Sequence, residues 1–369
     1  MAKQTSISKM VNSVPSKPLT KGTNFDLGKY NKSLGGAELT PFKQDRRLRI
    51  SPEIEDSLNV DGLIPLGHTI IFRGHSDTGK STLLIEVAKA CQREGILPVF
   101  LISEMKWDFK HLIEMGFEAE EVPVEYLDEN TGELITHIDY QGDFIYRDIE
   151  SLPSIEAFSK FIRTLIDDQK AGKLPRDLMF LWDSVGGLMS EQSLESKNKN
   201  NMWDAGAMSK EFMNNVCPAI GATRKASNKY FSTLVAVNHV SVAQPENIFA
   251  QPTMKNKGGD ALWKQATVQV TCGNVTKAGT SQLKVTCKGK DVVWGKRTKI
   301  QIEKMHVSLG TPSKGTVIMT KHGMIADTPA SIKAYDKAHR KEWVMELGAT
   351  EEDKLEFVEV EDTENLVDL

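Results

Sequence analysis

Residues 74–81 read GHSDTGKS, a G-x-x-x-x-G-K-S loop. It lies between an apolar, β-branched run (HTIIF, 68–72) and a segment with helical apolar spacing at Leu83, Leu84, Val87 and Cys91. No other stretch of the 369 residues constrains the fold so strongly. A strand feeding a glycine-rich loop and then a helix is a phosphate cradle. Gly74 and Gly79 let the backbone of His75, Ser76, Asp77 and Thr78 turn its N–H groups inward. The helix start adds its positive end, Lys80 a point charge, and Ser81, followed by Thr82, a hydroxyl for Mg²⁺. The loop therefore predicts binding of a nucleotide with Mg²⁺. Asp77 brings an acid close to the phosphates, and its side chain is expected to face solvent.

The surrounding pattern predicts an α/β fold. Strand runs at 68–72, 97–103, 177–183 and 232–240 alternate with helical stretches at 82–94, 154–169 and 203–216, which implies a mostly parallel central sheet covered on both faces. Later runs at 267–273, 281–288, 298–305 and 315–320 lack long helices between them and read as antiparallel edge strands. The division expected is a flexible basic N-terminal arm (1–50), an ATPase core (51–327) with a hairpin inserted at 122–147 around an Asn-Thr-Gly turn, and a C-terminal helix with an acidic tail (328–369).

Charge is unevenly spread. Residues 1–50 hold ten Lys/Arg against three Asp/Glu, and residues 351–369 hold nine Asp/Glu against one Lys. Such ends either contact a polyanion and compete with it, or are simply solvated. No apolar run reaches membrane length and the N-terminus lacks a signal peptide's apolar segment, so no membrane partner is expected. Cys91, Cys217, Cys272 and Cys287 form no C-x-x-C pair; they read as thiols of a reducing compartment, which implies a cytoplasmic protein.

Two carboxylates end strand runs. Asp183 closes LMFLWD, where it either holds Mg²⁺ through water with Ser81 or caps a following turn. Glu104 closes LPVFLISE, where it either activates the attacking water or is an ordinary surface acid.

Taken in order, GHSDTGKST, ISEMKWDFKHLIEMG, FLWDSVGGL, VAVNHV, KGGDAL (257–262) and IQIEKMHV (300–307) resemble the RecA family of ATP-driven strand-exchange proteins, in particular the UvsX-type recombinases of T4-like bacteriophages. The resemblance spans roughly residues 51–325, and ring-forming helicases of the DnaB type share the same ATPase core. It implies a RecA-like fold, with Glu104 the water-activating carboxylate and Asp108 and His111 near adenine. It further implies that Asn238 and His239 sense the γ-phosphate, and that Lys304 reaches a neighbouring subunit's nucleotide with His306 beside it. Where a second cation is usual in the family, His306 departs from the pattern.

Two polar segments follow nucleotide-linked strands: 189–201, with Lys197 and Lys199, and 241–259, with Ile248, Phe249, Met254, Lys255, Lys257 and the Gly258-Gly259 pair. Both are expected to be irregular loops. Their lysines would meet phosphates, and Ile248, Phe249 or Met254 would wedge between bases, Phe249 having as its alternative a place tucked onto the body. No feature points to base-edge readout. The expectation is an ATP-dependent recombinase that coats single-stranded DNA as a helical homo-oligomer and pairs it with homologous duplex DNA, assisted by loader or single-strand-binding proteins. A ring-forming helicase or translocase, and a mediator ATPase that remodels nothing, are the alternatives.

Overall fold

The computed structural model describes residues 29–30, 33, 41–104, 107–127, 132, 134–196, 201–243, 253–257, 259–274, 279–306, 313–350 and 352–361. The chain divides into two units, Met1–Pro41 and Phe42–Leu369. In the first, Ser33 Oγ donates to the Tyr30 carbonyl at 2.7 Å. Everything below concerns the second.

In chain order, β1 (Arg47–Leu48) and β2 (Ile64–Pro65) precede β3 (Thr69–Gly74), which runs into the helix Lys80–Arg93. Next come β4 (Leu97–Ile102), the helix Phe109–Glu114, the hairpin strands β5 (Glu120–Leu127) and β6 (Leu134–Gln141), and β7 (Ile145–Asp148). The helix Ile155–Lys170 leads to β8 (Leu178–Asp183), and helical residues 201–222 lead to β9 (Ser232–Ala243) and β10 (Thr253–Asn256). β11 (Val268–Cys272), β12 (Thr280–Cys287), β13 (Lys290–Met305), β14 (Ser313–Thr320) and β15 (Gly323–Ala326) follow, then the helix Pro329–Leu347 and β16 (Glu356–Glu361).

The main sheet runs β15-β14-β13-β11-β3-β9-β8-β4-β7. It is parallel from β11 to β7 and antiparallel from β11 to β15. The central strands β4 and β8 read as nearly unbroken apolar runs because both faces are covered. With a side-chain period of two, Ile70, Phe72, Phe100, Ile102, Leu181 and Val237 pack with Leu83, Leu84, Val87 and Cys91 of the helix Lys80–Arg93. Ile71, Val99, Leu101, Phe180 and Trp182 turn to the other face, against Phe158, Ile162, Ile166 and Phe212. A third cluster joins Leu283, Val285 and Trp294 to Tyr335, Trp343 and Leu347 of the C-terminal helix. Among the described residues no helix is long and apolar enough to cross a membrane.

Four expectations need adjustment. The body begins at Phe42, before residue 51. Lys43 Nζ donates to the Tyr230 carbonyl at 2.8 Å, and Leu48 and Ile50 are buried. The alternation Arg47-Leu48-Arg49-Ile50 supplies that buried face within a basic composition. The inserted hairpin spans 120–141, whereas residues 145–148 belong to the main sheet as its edge strand.

The two polar segments are also partly regular. Glu191–Glu195 is a short helix capped by Ser190, whose side chain accepts from Ser193 N. β10 folds back on the end of β9, pairing Asn256 with Val240 and Thr253 with Ala243. The alternation Val240-Ser241-Val242 extends β9 and gives β10 a ladder to join. Finally, Glu356–Glu361 is a strand on β12 rather than a solvated tail. Its sequence, EFVEVE, alternates charged and apolar residues at the strand period, and Glu359 meets Arg297 and Ser281.

Candidate functional site

The carboxyl ends of β3, β8 and β4 come level with His239 of β9. Gly74 is in register with His239, Ile102 with Asp183, and Ser103 N donates to the Asp183 carbonyl at 2.8 Å. The loop 74–81, the segment after β4 and the helix Phe109–Glu114 enclose a cleft of about 410 Å³ there. Ser76, Asp77, Gly79, Lys80, Ser81 and Thr82 line it together with Glu104, Asp108, His111, Asp183 and His239. Ligand sites in open parallel sheets form at such strand ends.

The loop's shape follows from its residues. A Cβ on Gly74 would lie 2.3 Å from the Cys272 carbonyl oxygen on β11, so only glycine lets the strands approach. Gly79 has φ +89°, and its Cβ would strike Met319 Sδ at 2.2 Å. Asp77 also sits in the left-handed region, at φ +58°, which Asp tolerates better than most side chains. This accounts for an acid at that position, and its side chain is exposed as expected. Buried Thr78 donates to the His75 carbonyl at 2.9 Å and receives Thr298 on its own carbonyl at 3.0 Å.

Lys80 is 4 % exposed. Its ammonium donates to the His75 carbonyl and makes no other hydrogen bond among the described residues. Burial pulls its pKa down, against which Cys272, Asp183, Glu104 and Asp77 act. A buried cation with donors to spare facing a cleft fits an anionic ligand, because an arriving phosphate would compensate the lost hydration. Ser81 Oγ donates to Asp183 Oδ2 at 2.5 Å, which places a hydroxyl and a carboxylate side by side as hard oxygen donors suited to Mg²⁺.

Glu104 occupies the centre. Its Oε1 accepts a hydrogen bond from the buried Ser184 hydroxyl and lies 3.0 Å from His239 Nε2. Burial, then the Lys80 charge, lowers the His239 pKa, while Glu104 opposes both. The imidazole is thus neutral near pH 7, with Nε2 facing the Glu104 carboxyl. Asn238, 1 % exposed, keeps a buried Oδ1 without a partner among the described residues. Asp108 caps the helix Phe109–Glu114, accepting from Lys110 N at 2.9 Å, so its carboxylate shapes the wall while lining the cleft.

Glycines 186 and 187 bring three strand ends together. A Cβ on Gly187 would lie 2.8 Å from the Ser103 carbonyl oxygen, and one on Gly186 would lie 2.7 Å from Lys257 Cβ. Lys257 N also donates to the His239 carbonyl at 3.0 Å. The β9–β10 hairpin is therefore anchored directly on the residue that touches Glu104. Lys255, Lys257 and Gly259 are exposed there, with Met254 half-buried. Lys197, Lys199, Ile248, Phe249 and Gly258 lie outside the described residues.

Lys304 and His306 do not line this cleft. Lys304 Nζ donates to the Lys264 carbonyl at 3.2 Å and His306 N to the Thr267 carbonyl at 3.1 Å, near the end of β13. The sequence reading missed Ile85, Trp107, Leu112, Lys296 and Met319, which line the wall, and Ser184, whose hydroxyl holds Glu104 from beside the cleft. The Ser184 neighbour of Asp183 was legible only as part of a turn. Lys296 and Met319 arrive from distant edge strands that no local pattern connects to the loop. No protein-family model matches the chain.

Proposed function

We propose that the chain is an ATP- and Mg²⁺-dependent recombinase with a RecA-like core, which coats single-stranded DNA as a head-to-tail helical filament and pairs it with homologous duplex. One observation carries the reading: Lys80, the Ser81–Asp183 pair and the Glu104–His239 pair converge in one cleft, with an exposed lysine hairpin anchored on His239.

Lys80 and the loop amides hold the β- and γ-phosphates, with Asp108 and His111 toward the base. Ser81 and Asp183 would hold Mg²⁺, which would neutralise charge on the phosphate oxygens. Glu104 orients the attacking water and receives its proton, and His239 and Ser184 fix the carboxylate's position. Asn238 and His239 stand where a terminal phosphate would be sensed, and β9 carries that state to Lys255 and Lys257. These lysines meet DNA phosphates, a sequence-tolerant and salt-sensitive contact. Lys304, which lies away from its own chain's cleft, would act on a neighbour's nucleotide, and such a heterologous contact generates a helix when it does not close.

Electron microscopy of the full chain with single-stranded DNA and a slowly hydrolysed ATP analogue tests the proposal. Helical filaments on the DNA are expected. Closed rings would replace it with the helicase reading, and nucleotide-bound particles that never coat DNA would leave only a mediator ATPase.

A further inference from the structure

A second constellation lies at the far edge of the sheet, where the 320–323 turn between β14 and β15 meets the C-terminal helix Pro329–Leu347. His322 comes from the turn, and His339 and Glu342 come from one face of the helix, three residues apart. The ligand atoms of all three lie within 4.8 Å of one another. The two imidazoles stack with centroids 3.9 Å apart and planes 13° apart. Glu342 spans them, Oε1 lying 3.1 Å from His339 Nδ1 and Oε2 lying 3.8 Å from His322 Nε2.

The hydrogen bonds around His322 select which nitrogen is available. Thr320 Oγ1 donates to the Gly323 carbonyl at 2.7 Å and accepts from His322 N at 3.2 Å, which fixes the turn that carries the ring. The Tyr335 hydroxyl oxygen lies 2.9 Å from His322 Nδ1 and engages that nitrogen. Nε2 is then the His322 atom that faces Glu342. A histidine whose second nitrogen is held in this way is the usual form of a metal ligand.

We infer that His322, His339 and Glu342 form a binding site for a divalent transition metal of the zinc class. Two imidazoles and one carboxylate are a three-ligand set for Zn²⁺, with water completing the tetrahedron. His322 supplies Nε2 and Glu342 a carboxylate oxygen. His339 supplies Nδ1, the metal replacing the proton now shared with Glu342 and that proton moving to Nε2. Tetrahedral bonds of about 2.0–2.2 Å place ligand atoms about 3.3–3.6 Å apart, so binding requires the stacked imidazoles to rotate out of their near-parallel arrangement until both lone pairs meet at one point. Lys321 and Lys296 oppose a cation here, while Glu114 and Glu346 offset them. Bound metal would tie the C-terminal helix to a turn whose Met324 N donates to Glu86 of the helix Lys80–Arg93. The site shares its Lys296 and Met319 walls with the cleft at the 74–81 loop, and its existence does not depend on what that cleft binds.

Isothermal titration of the untagged full chain with ZnCl₂, with Co²⁺ as an absorbing probe, tests the inference. One saturable site per chain, tetrahedral Co²⁺ absorption and a rise in melting temperature with Zn²⁺ are expected. His339→Ala and Glu342→Gln should each weaken binding by at least about tenfold, and Tyr335→Phe by about tenfold through the freed His322 ring. Circular dichroism of each variant establishes that it folds, and Glu342→Gln keeps the shape of the side chain. Absence of saturable binding, or binding that neither His339→Ala nor Glu342→Gln changes, would overturn the assignment.

Discussion

Glu104 Oε1 lies 3.0 Å from His239 Nε2, and the His239 carbonyl in turn accepts a hydrogen bond from Lys257 N. A carboxylate at the end of β4 is thereby two contacts from the exposed base of the β9–β10 hairpin. Anything that repositions Glu104, such as a terminal phosphate and its attacking water, bears on the hairpin through a path of strand and hydrogen bond.

Glu104→Gln retains the shape but cannot accept a proton from the attacking water. Turnover of ATP should fall by at least about 10²-fold with nucleotide binding preserved, leaving a long-lived DNA complex. Equilibrium binding of a fluorescent nucleotide, measured beside steady-state hydrolysis, separates the two effects.

Ser81→Ala removes the hydroxyl that Asp183 now accepts from, and Asp183→Asn removes the charge. Either change should raise the Mg²⁺ concentration needed for half-maximal hydrolysis by about 10–100-fold. Lys80→Ala, by contrast, should abolish nucleotide binding at every Mg²⁺ concentration.

Gly186→Ala would set a methyl 2.7 Å from Lys257 Cβ. The hairpin base must shift, at a cost of about 1–3 kcal/mol. Affinity for single-stranded DNA, read by fluorescence anisotropy, should drop while nucleotide affinity stays within about twofold.

Acid should destabilise the fold through His68. This residue is 8 % exposed and 3.1 Å from Thr267 Oγ1 through Nδ1, and burial pushes its pKa down from 6.5 to about 4. Between those values the unfolded chain binds the proton and the folded chain does not, so stability falls as pH drops from 6.5 toward 4. The full shift corresponds to about 3 kcal/mol, which solvent screening reduces to about 1–2 kcal/mol. Urea melts across this window should flatten in His68→Gln.

Arg297 binds Asp327 at 2.8 and 3.0 Å and also meets Glu359, tying β16 to the turn after β15. Arg297→Met would leave two partly buried carboxylates without their cation. A loss of about 1–3 kcal/mol is expected, recoverable in part by Glu359→Gln, as a double-mutant cycle would record.

The central sheet was legible because parallel strands buried on both faces must be apolar runs. The runs at 97–103 and 177–183 match β4 and β8 within a residue. The cleft was legible where chemistry follows spacing, in the loop and at the two strand-end acids. What escaped depended on partners distant in sequence. β1, β10 and β16 are short or highly charged, and each forms only because another strand offers a ladder. Ser184 acquires its role from Glu104, eighty residues earlier. The His322–His339–Glu342 group joins a turn to a helix and so has no motif at all.

ATP hydrolysis by the full chain, with and without single-stranded DNA, tests the account most directly. Glu104 linked to the hairpin through His239 predicts slow turnover alone and a rise of at least about tenfold with DNA, a rise lost in His239→Ala while nucleotide binding persists. Turnover indifferent to DNA, or a DNA response that survives His239→Ala intact, would contradict it.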